Sequence, residues 1–158
     1  MLNSLRKILW PTDFSELSLL GGRYARSLCE YFDAQLHIIH IIPPLLTADF
    51  SAMLPAGAPL PAVEPEMLEA CKEKMDQVVT EHFENDQRVV REALFGNPWS
   101  SVCEYAQQHD IDLIVVATHG RTGLEHAIIG STTERIVQHA PCPVLTVKST
   151  GRNFLNDE

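Results

Sequence analysis

The sequence has no apolar run approaching the roughly 20 residues that a membrane-crossing helix needs, which argues against membrane insertion. Behind Arg6 and Lys7 there is no apolar segment with a small-residue cleavage site, so the expected location is the cytoplasm. Positive charge is scarce: 12 Lys and Arg stand against 21 Asp and Glu, a formal net charge of -9. A chain so acidic, without a basic stripe, repels a phosphate backbone, so no nucleic-acid partner is expected. A small anion remains possible, because backbone N–H groups and a helix end can hold one on an acidic protein. Cys29, Cys71, Cys103 and Cys142 form no CxxC pair and read as buried thiols. The seven histidines lack HExxH or His-x3-His spacing, so no structural metal is expected. There is no GxxxxGK[ST], no GxGxxG after the first strand and no GxSxG. No Ser or Cys nucleophile can be paired with a histidine by spacing. Asp13 and Glu16 lie together, but at a helix start such proximity is ordinary capping. No catalytic residue is therefore assigned.

What is present is an alternation of short apolar strands and amphipathic helices. Arg6 to Trp10 is a strand stopped by Pro11. Either Asp13, with Glu16 three residues on, or Ser15 can cap the helix that follows, Ser15 to Phe32. Its apolar face runs through Leu17, Leu20, Tyr24, Leu28 and Tyr31, and Gly21-Gly22 marks a close packing contact. Gln35 to Ile42 is a buried strand ending at Pro43-Pro44. Residues 43–65 hold six of the ten prolines and read as a long surface loop. A helix starts near Pro65, with Met67, Leu68, Cys71, Met75, Val78, Val79 and Phe83 on one face. A strand, Arg88 to Leu94, leads to Gly96-Asn97-Pro98, where Asn97 can cap a helix over Trp99 to His109. The last strand is Pro143 to Lys148, beyond a helix from Ser131 to His139.

Five strands alternating with four helices imply a doubly wound parallel sheet with helices on both faces. At 158 residues the chain reads as one domain over 1–150, followed by a polar tail at 151–158. In such sheets ligands bind beyond the carboxyl ends of the strands, where the strand order reverses. Those ends are Trp10 to Asp13, Ile41 to Pro43 and Ala117 to Gly123.

The last of these opens the most informative stretch. Ile111 to Ala117 is a short buried strand, followed by a loop with Gly120 and Gly123. Gly130-Ser131-Thr132-Thr133-Glu134 then starts a helix. Glycines let N–H groups approach a polyphosphate, and a helix start favours anions. The same Ser131 to Glu134 run is also a capping box that needs no ligand. Residues alone leave both readings standing.

Ala117-Thr118-His119-Gly120, nine residues, then Gly130-Ser131 resembles the Gly-x2-Gly-x9-Gly-Ser/Thr phosphate loop of the universal stress protein family. Trp10 to Ser15, Gly96-Asn97-Pro98 and Ala140 to Leu145 resemble other parts of that family in the same order. The resemblance covers nearly the whole chain. It implies a three-layer α/β sandwich whose five-stranded parallel sheet runs 3-2-1-4-5, the Rossmann-like fold of the adenine-nucleotide alpha-hydrolases. It also implies a homodimer paired through Pro143 to Lys148. In the ATP-binding type, Pro11, Thr12 and Asp13 would form the nucleoside side. Ile41 and Val116 would wall the adenine, and Gly120, Arg121, Gly130, Ser131 and Thr132 would surround the phosphates, with nucleotide-bound magnesium possible. Gly123 drops to an ordinary loop glycine, and His119 to a loop or interface residue.

Ala117 stands where the family has its first glycine. A position of positive φ would make alanine cost about 1 kcal/mol or more, whereas a strand end needs only a small side chain. The resulting expectation is a cytoplasmic, homodimeric, ATP-binding stress-response regulator with an unknown protein partner. The competing readings are a nucleotide-free dimeric interaction protein and, more weakly, a slow ATPase or nucleotidyl-transfer enzyme.

Overall fold

The computed structural model describes residues 5–44, 64–83, 88–119, 129–150, 152 and 155. Most of the expected 43–65 loop, the glycine loop at 120–128 and most of the tail lie outside these residues. Within them the elements alternate: β1 (Lys7–Pro11), α1 (Glu16–Phe32), β2 (Gln35–Ile42), α2 (Glu64–His82), β3 (Val89–Phe95), α3 (Pro98–Gln108), β4 (Leu113–Ala117), α4 (Ser131–His139) and β5 (Val144–Val147). All strand pairs are parallel and the order is β3-β2-β1-β4-β5, as the resemblance implies.

The period-2 geometry of the strands sorts their side chains onto two layers. Ile8, Trp10, Ile38 and Val115 pack with Tyr24, Ala25, Met75 and Val79 of α1 and α2. Leu9, Ile39, Ile114 and Val116 pack with Val102, Tyr105 and Ile136 of α3 and α4. Three layers follow directly from continuous apolar strands that must be covered on both faces. Leu155, within the expected polar tail, packs against the first cluster.

Two helix starts depart from the simplest reading of their residues. Ser15, not Asp13, caps α1: its Oγ accepts the Ser18 N–H at 3.2 Å. Asp13 turns back instead, its Oδ1 accepting the Ser15 N–H at 3.0 Å. At α4 the N-cap is Gly130 and no side chain caps it, so Ser131 is the first helical residue and the capping box is not built. Asn97 does cap α3, accepting from Trp99 N–H at 3.2 Å and Ser100 N–H at 3.4 Å, with Pro98 at the first position.

The expected close contact at Gly21-Gly22 is between α1 and Trp10. A Cβ on Gly22 would come within 2.7 Å of the Trp10 ring, and Trp10 Nε1 donates to Ser18 O at 3.0 Å. The indole is fully buried and cannot move aside. Gly22→Ala gains roughly 1 kcal/mol of helix propensity but overpacks the core at about 1–3 kcal/mol. We expect a net loss on the order of 1 kcal/mol in urea unfolding; equal or greater stability would show that the layer yields.

Candidate functional site

The sheet's topological switch lies between β1 and β4, because the chain winds outward from β1 to β3 and then crosses to β4 and β5. Pairing of β1 with β2 runs from Lys7 to Pro11, whereas its ladder with β4 covers only Ile8–Leu113 and Leu9–Ile114. Pro11 has no N–H to extend a ladder. Beyond it, a cleft of about 430 Å³ opens between the carboxyl ends of β1, β2 and β4 and the starts of α3 and α4.

Nine of the eleven residues expected at a nucleotide site are described, and all nine line this cleft. Pro11, Thr12 and Asp13 enter from β1, Ile41 from β2, and Val116 and Ala117 from β4. Gly130, Ser131 and Thr132 enter from α4. Gly120 and Arg121 lie outside the described residues. Ile41 and Val116 are each 8% exposed, so they offer an apolar wall rather than a solvated rim. Thr12 is buried and spends its hydroxyl on the turn, accepting from Phe14 N–H at 3.0 Å and from Ser18 Oγ at 2.9 Å.

Ala117 is the last residue of β4, paired with Val147, and it is absent from the residues of positive φ. Alanine therefore meets no backbone strain there. The nearby carbonyls are committed, Ala117 O to Thr133 Oγ1 at 2.9 Å and Thr118 O to Gly130 N–H at 2.7 Å. These two bonds lock the start of α4 beneath the end of β4. Gly130 has φ -69°, so no left-handed backbone calls for the glycine, and the approach is tight: a Cβ would lie 3.3 Å from Thr118 O. The first N–H of this turn with an internal acceptor is Glu134, bonded to Gly130 O at 2.9 Å. The exposed side chains of Ser131 and Thr132 thus flank a helix end that no side chain caps among the described residues. Such an end attracts anions through its free N–H groups and dipole.

Several lining residues were not expected from sequence. Ser18 comes from α1, His40 from β2, Pro98 and Val102 from α3, and Thr133 and Ile136 from α4. His119 lies in the loop after β4, as expected, and also lines the cleft. A signal existed for His40: a polar residue inside the buried run QLHIIHII, two residues from the strand end. The helix residues offered none, since their periodicity marks only a core face.

Away from the cleft, two thiols are held in the protonated form. Burial pushes Cys142 up to about 11, with Asp112 and Cys103 adding to the effect, and burial raises Cys103 as well. None of the four cysteines forms a disulfide. Among the described residues no group of three His, Cys, Asp or Glu side chains is placed to hold a metal ion, and no helix is long and apolar enough to cross a membrane.

The model of the Universal stress protein family matches residues 4–148. Universal stress protein MJ0531 of Methanocaldococcus jannaschii is 34% identical over 148 residues, covering 92% of this chain and 84% of that protein. Among solved structures, MJ0577 superposes with a TM-score of 0.79 at 23% identity, over 95% of this chain and all (100%) of that one. A universal stress protein in complex with cAMP (TM-score 0.59, 18% identity, 92% of this chain, 98% of that one) has the same fold. So does one from Archaeoglobus fulgidus in complex with dAMP (TM-score 0.61, 15% identity, 90% and 96%).

Proposed function

The chain belongs to the universal stress protein family, and on that premise we propose that it is a cytoplasmic ATP-binding regulator acting as a homodimer. The observation that carries this reading is the convergence of every described candidate residue on one cleft at the switch point, ending at the uncapped start of α4. The residues suit the ligand chemically. An apolar slot between Ile41 and Val116 takes a base, Asp13 takes the nucleoside side, and the α4 N-terminus takes the phosphates with Ser131 and Thr132. A volume of about 430 Å³ lies in the range of about 300–1,000 Å³ common for small-molecule sites. The nucleotide complexes of two structural neighbours support the same ligand class. Bound ATP would bring its own magnesium and meet Gly120 and Arg121 at its phosphates, and a partner protein would read nucleotide occupancy.

The domain spans 1–150, and the dimer pairs through Pro143 to Lys148, which contains the edge strand β5. Turnover is slow at most: no side chain is assigned to orient an attacking water.

One observation favours a second reading, a nucleotide-free dimeric interaction protein. The tight approach of Gly130 to Thr118 O is a packing reason for the glycine that needs no ligand. Heat-denaturing purified protein and running the supernatant on ion exchange separates the two, with magnesium-ATP calorimetry as the second arm. Released ATP or saturable binding is expected. Neither, from a folded dimer in sedimentation velocity, leaves the second reading standing.

A further inference from the structure

The turn that presents Asp13 to the cleft is bent through Phe14, whose φ is 63°. Asp33 and Asp110 also have positive φ, but a short polar side chain tolerates that region and an aromatic one rarely adopts it. A strained residue beside a ligand cleft persists only where its surroundings over-determine it. Inside the turn, Thr12 Oγ1 accepts the Phe14 N–H and Asp13 Oδ1 accepts the Ser15 N–H. From β2 come two contacts: Ile39 O accepts the Thr12 N–H at 2.9 Å, and His40 Nδ1 lies 2.7 Å from Thr12 O. A carbonyl can only accept, so Nδ1 carries the proton and donates. The Phe14 ring lies against the imidazole, centroids 4.6 Å apart and planes tilted by 33°, with Lys74 Nζ of α2 4.9 Å from the Phe14 centroid.

We propose that His40 is a positioning residue for nucleotide binding: its Nδ1–H bond to Thr12 O holds the β1–α1 turn in the bent form that presents Asp13 to the nucleoside. This rests on the reading of the cleft as a nucleotide site. His40 acts through Thr12, so its contribution falls on the nucleoside end. The phosphate end, built on α4 and the exit of β4, is independent of it.

The test compares wild type, His40→Leu and His40→Asn. Leucine keeps bulk against Phe14 but has no donor; the asparagine amide nitrogen sits near the place of Nδ1 and can replace it. ATP affinity by calorimetry is expected to fall about tenfold in His40→Leu and to recover in His40→Asn, while inorganic tripolyphosphate affinity stays level in all three. In the ligand-free proteins, amide exchange at Phe14 and Ser15 is expected to quicken in His40→Leu and not in His40→Asn. Equal ATP affinity in wild type and His40→Leu overturns the positioning role, as does unchanged exchange or a parallel loss of tripolyphosphate affinity. A wild type that binds no ATP fails differently: it overturns the nucleotide reading itself.

Discussion

Ser131→Asp is expected to leave α4 slightly more stable and to weaken ATP binding about 100-fold or more. The two effects have opposite signs because one charge faces two different neighbours. Ser131 is the first residue of α4, where a carboxylate meets the positive end of the helix dipole and gains about 0.3–1 kcal/mol at low salt. Its side chain is exposed, so no packing is lost. A bound triphosphate would occupy the same end of the dipole. Two like charges about 4 Å apart near a protein surface repel by roughly 4 kcal/mol each pair before salt screening. A 100-fold loss needs only about 2.7 kcal/mol of that. Calorimetry with ATP and thermal unfolding at low ionic strength read the two effects separately. Unchanged ATP affinity would remove the phosphates from α4. A fall in both affinity and melting temperature would mean that the substitution simply damaged the helix.

Acidification is expected to destabilise the protein between about pH 6.5 and 4 through His37. This histidine is 4% exposed on the face of β2 opposite His40, its Nδ1 2.9 Å from Tyr105 OH and its Nε2 3.1 Å from Gln35 Oε1. Gln35 Oε1 can only accept, so Nε2 carries the proton and Nδ1 accepts from Tyr105. Burial holds the Tyr105 hydroxyl up to about 12, so it remains a donor throughout. Burial, then the charges of His109 and Lys7, push His37 down to about 4. The folded state thus prefers neutral His37, while the unfolded chain takes a proton near pH 6.5. Stability is therefore complete above 6.5 and lost progressively as pH falls toward 4. The full difference amounts to about 3 kcal/mol at most, at about 1.4 kcal/mol per pH unit. Urea midpoints at pH 7 and pH 4.5 should separate clearly for wild type and by less for His37→Gln. Equal pH dependence in both proteins would place the acid sensitivity elsewhere.

His37 and His40 are the same residue three positions apart in one strand, yet one is a core acceptor and the other a cleft donor. The alternation of strand faces makes that division inevitable once β2 is placed. Nothing in the local sequence says which layer each face will meet. The cap of α1 is a similar case. Asp13 and Ser15 are equally good N-caps by residue type, and only the direction of the chain leaving Pro11 turns Asp13 back onto Ser15 N–H and leaves Ser15 to cap. At α4, Ser131 to Glu134 has the letters of a capping box. The Gly130 N–H bond to Thr118 O instead sets the helix start one residue earlier, so that Ser131 lies inside the helix.

By itself the sequence determined the alternation of strands and helices, because apolar period and breakers such as Pro11, Pro43 and Gly96-Asn97-Pro98 act over a few residues. The motif resemblance supplied the strand order and the candidate residues, since the family's spacing encodes a fold that composition does not. The tertiary structure alone decided the rest. It brought Asp13, Ile41, Val116 and Ser131, over a hundred positions apart at the extremes, to one cleft at the switch point. It recruited His40 and Thr133 to that cleft, and it made Ala117 an unstrained strand end. Those outcomes depend on which carboxyl ends lie side by side, and adjacency in a parallel sheet is set by long crossovers and packing of whole layers, not by any local run of residues.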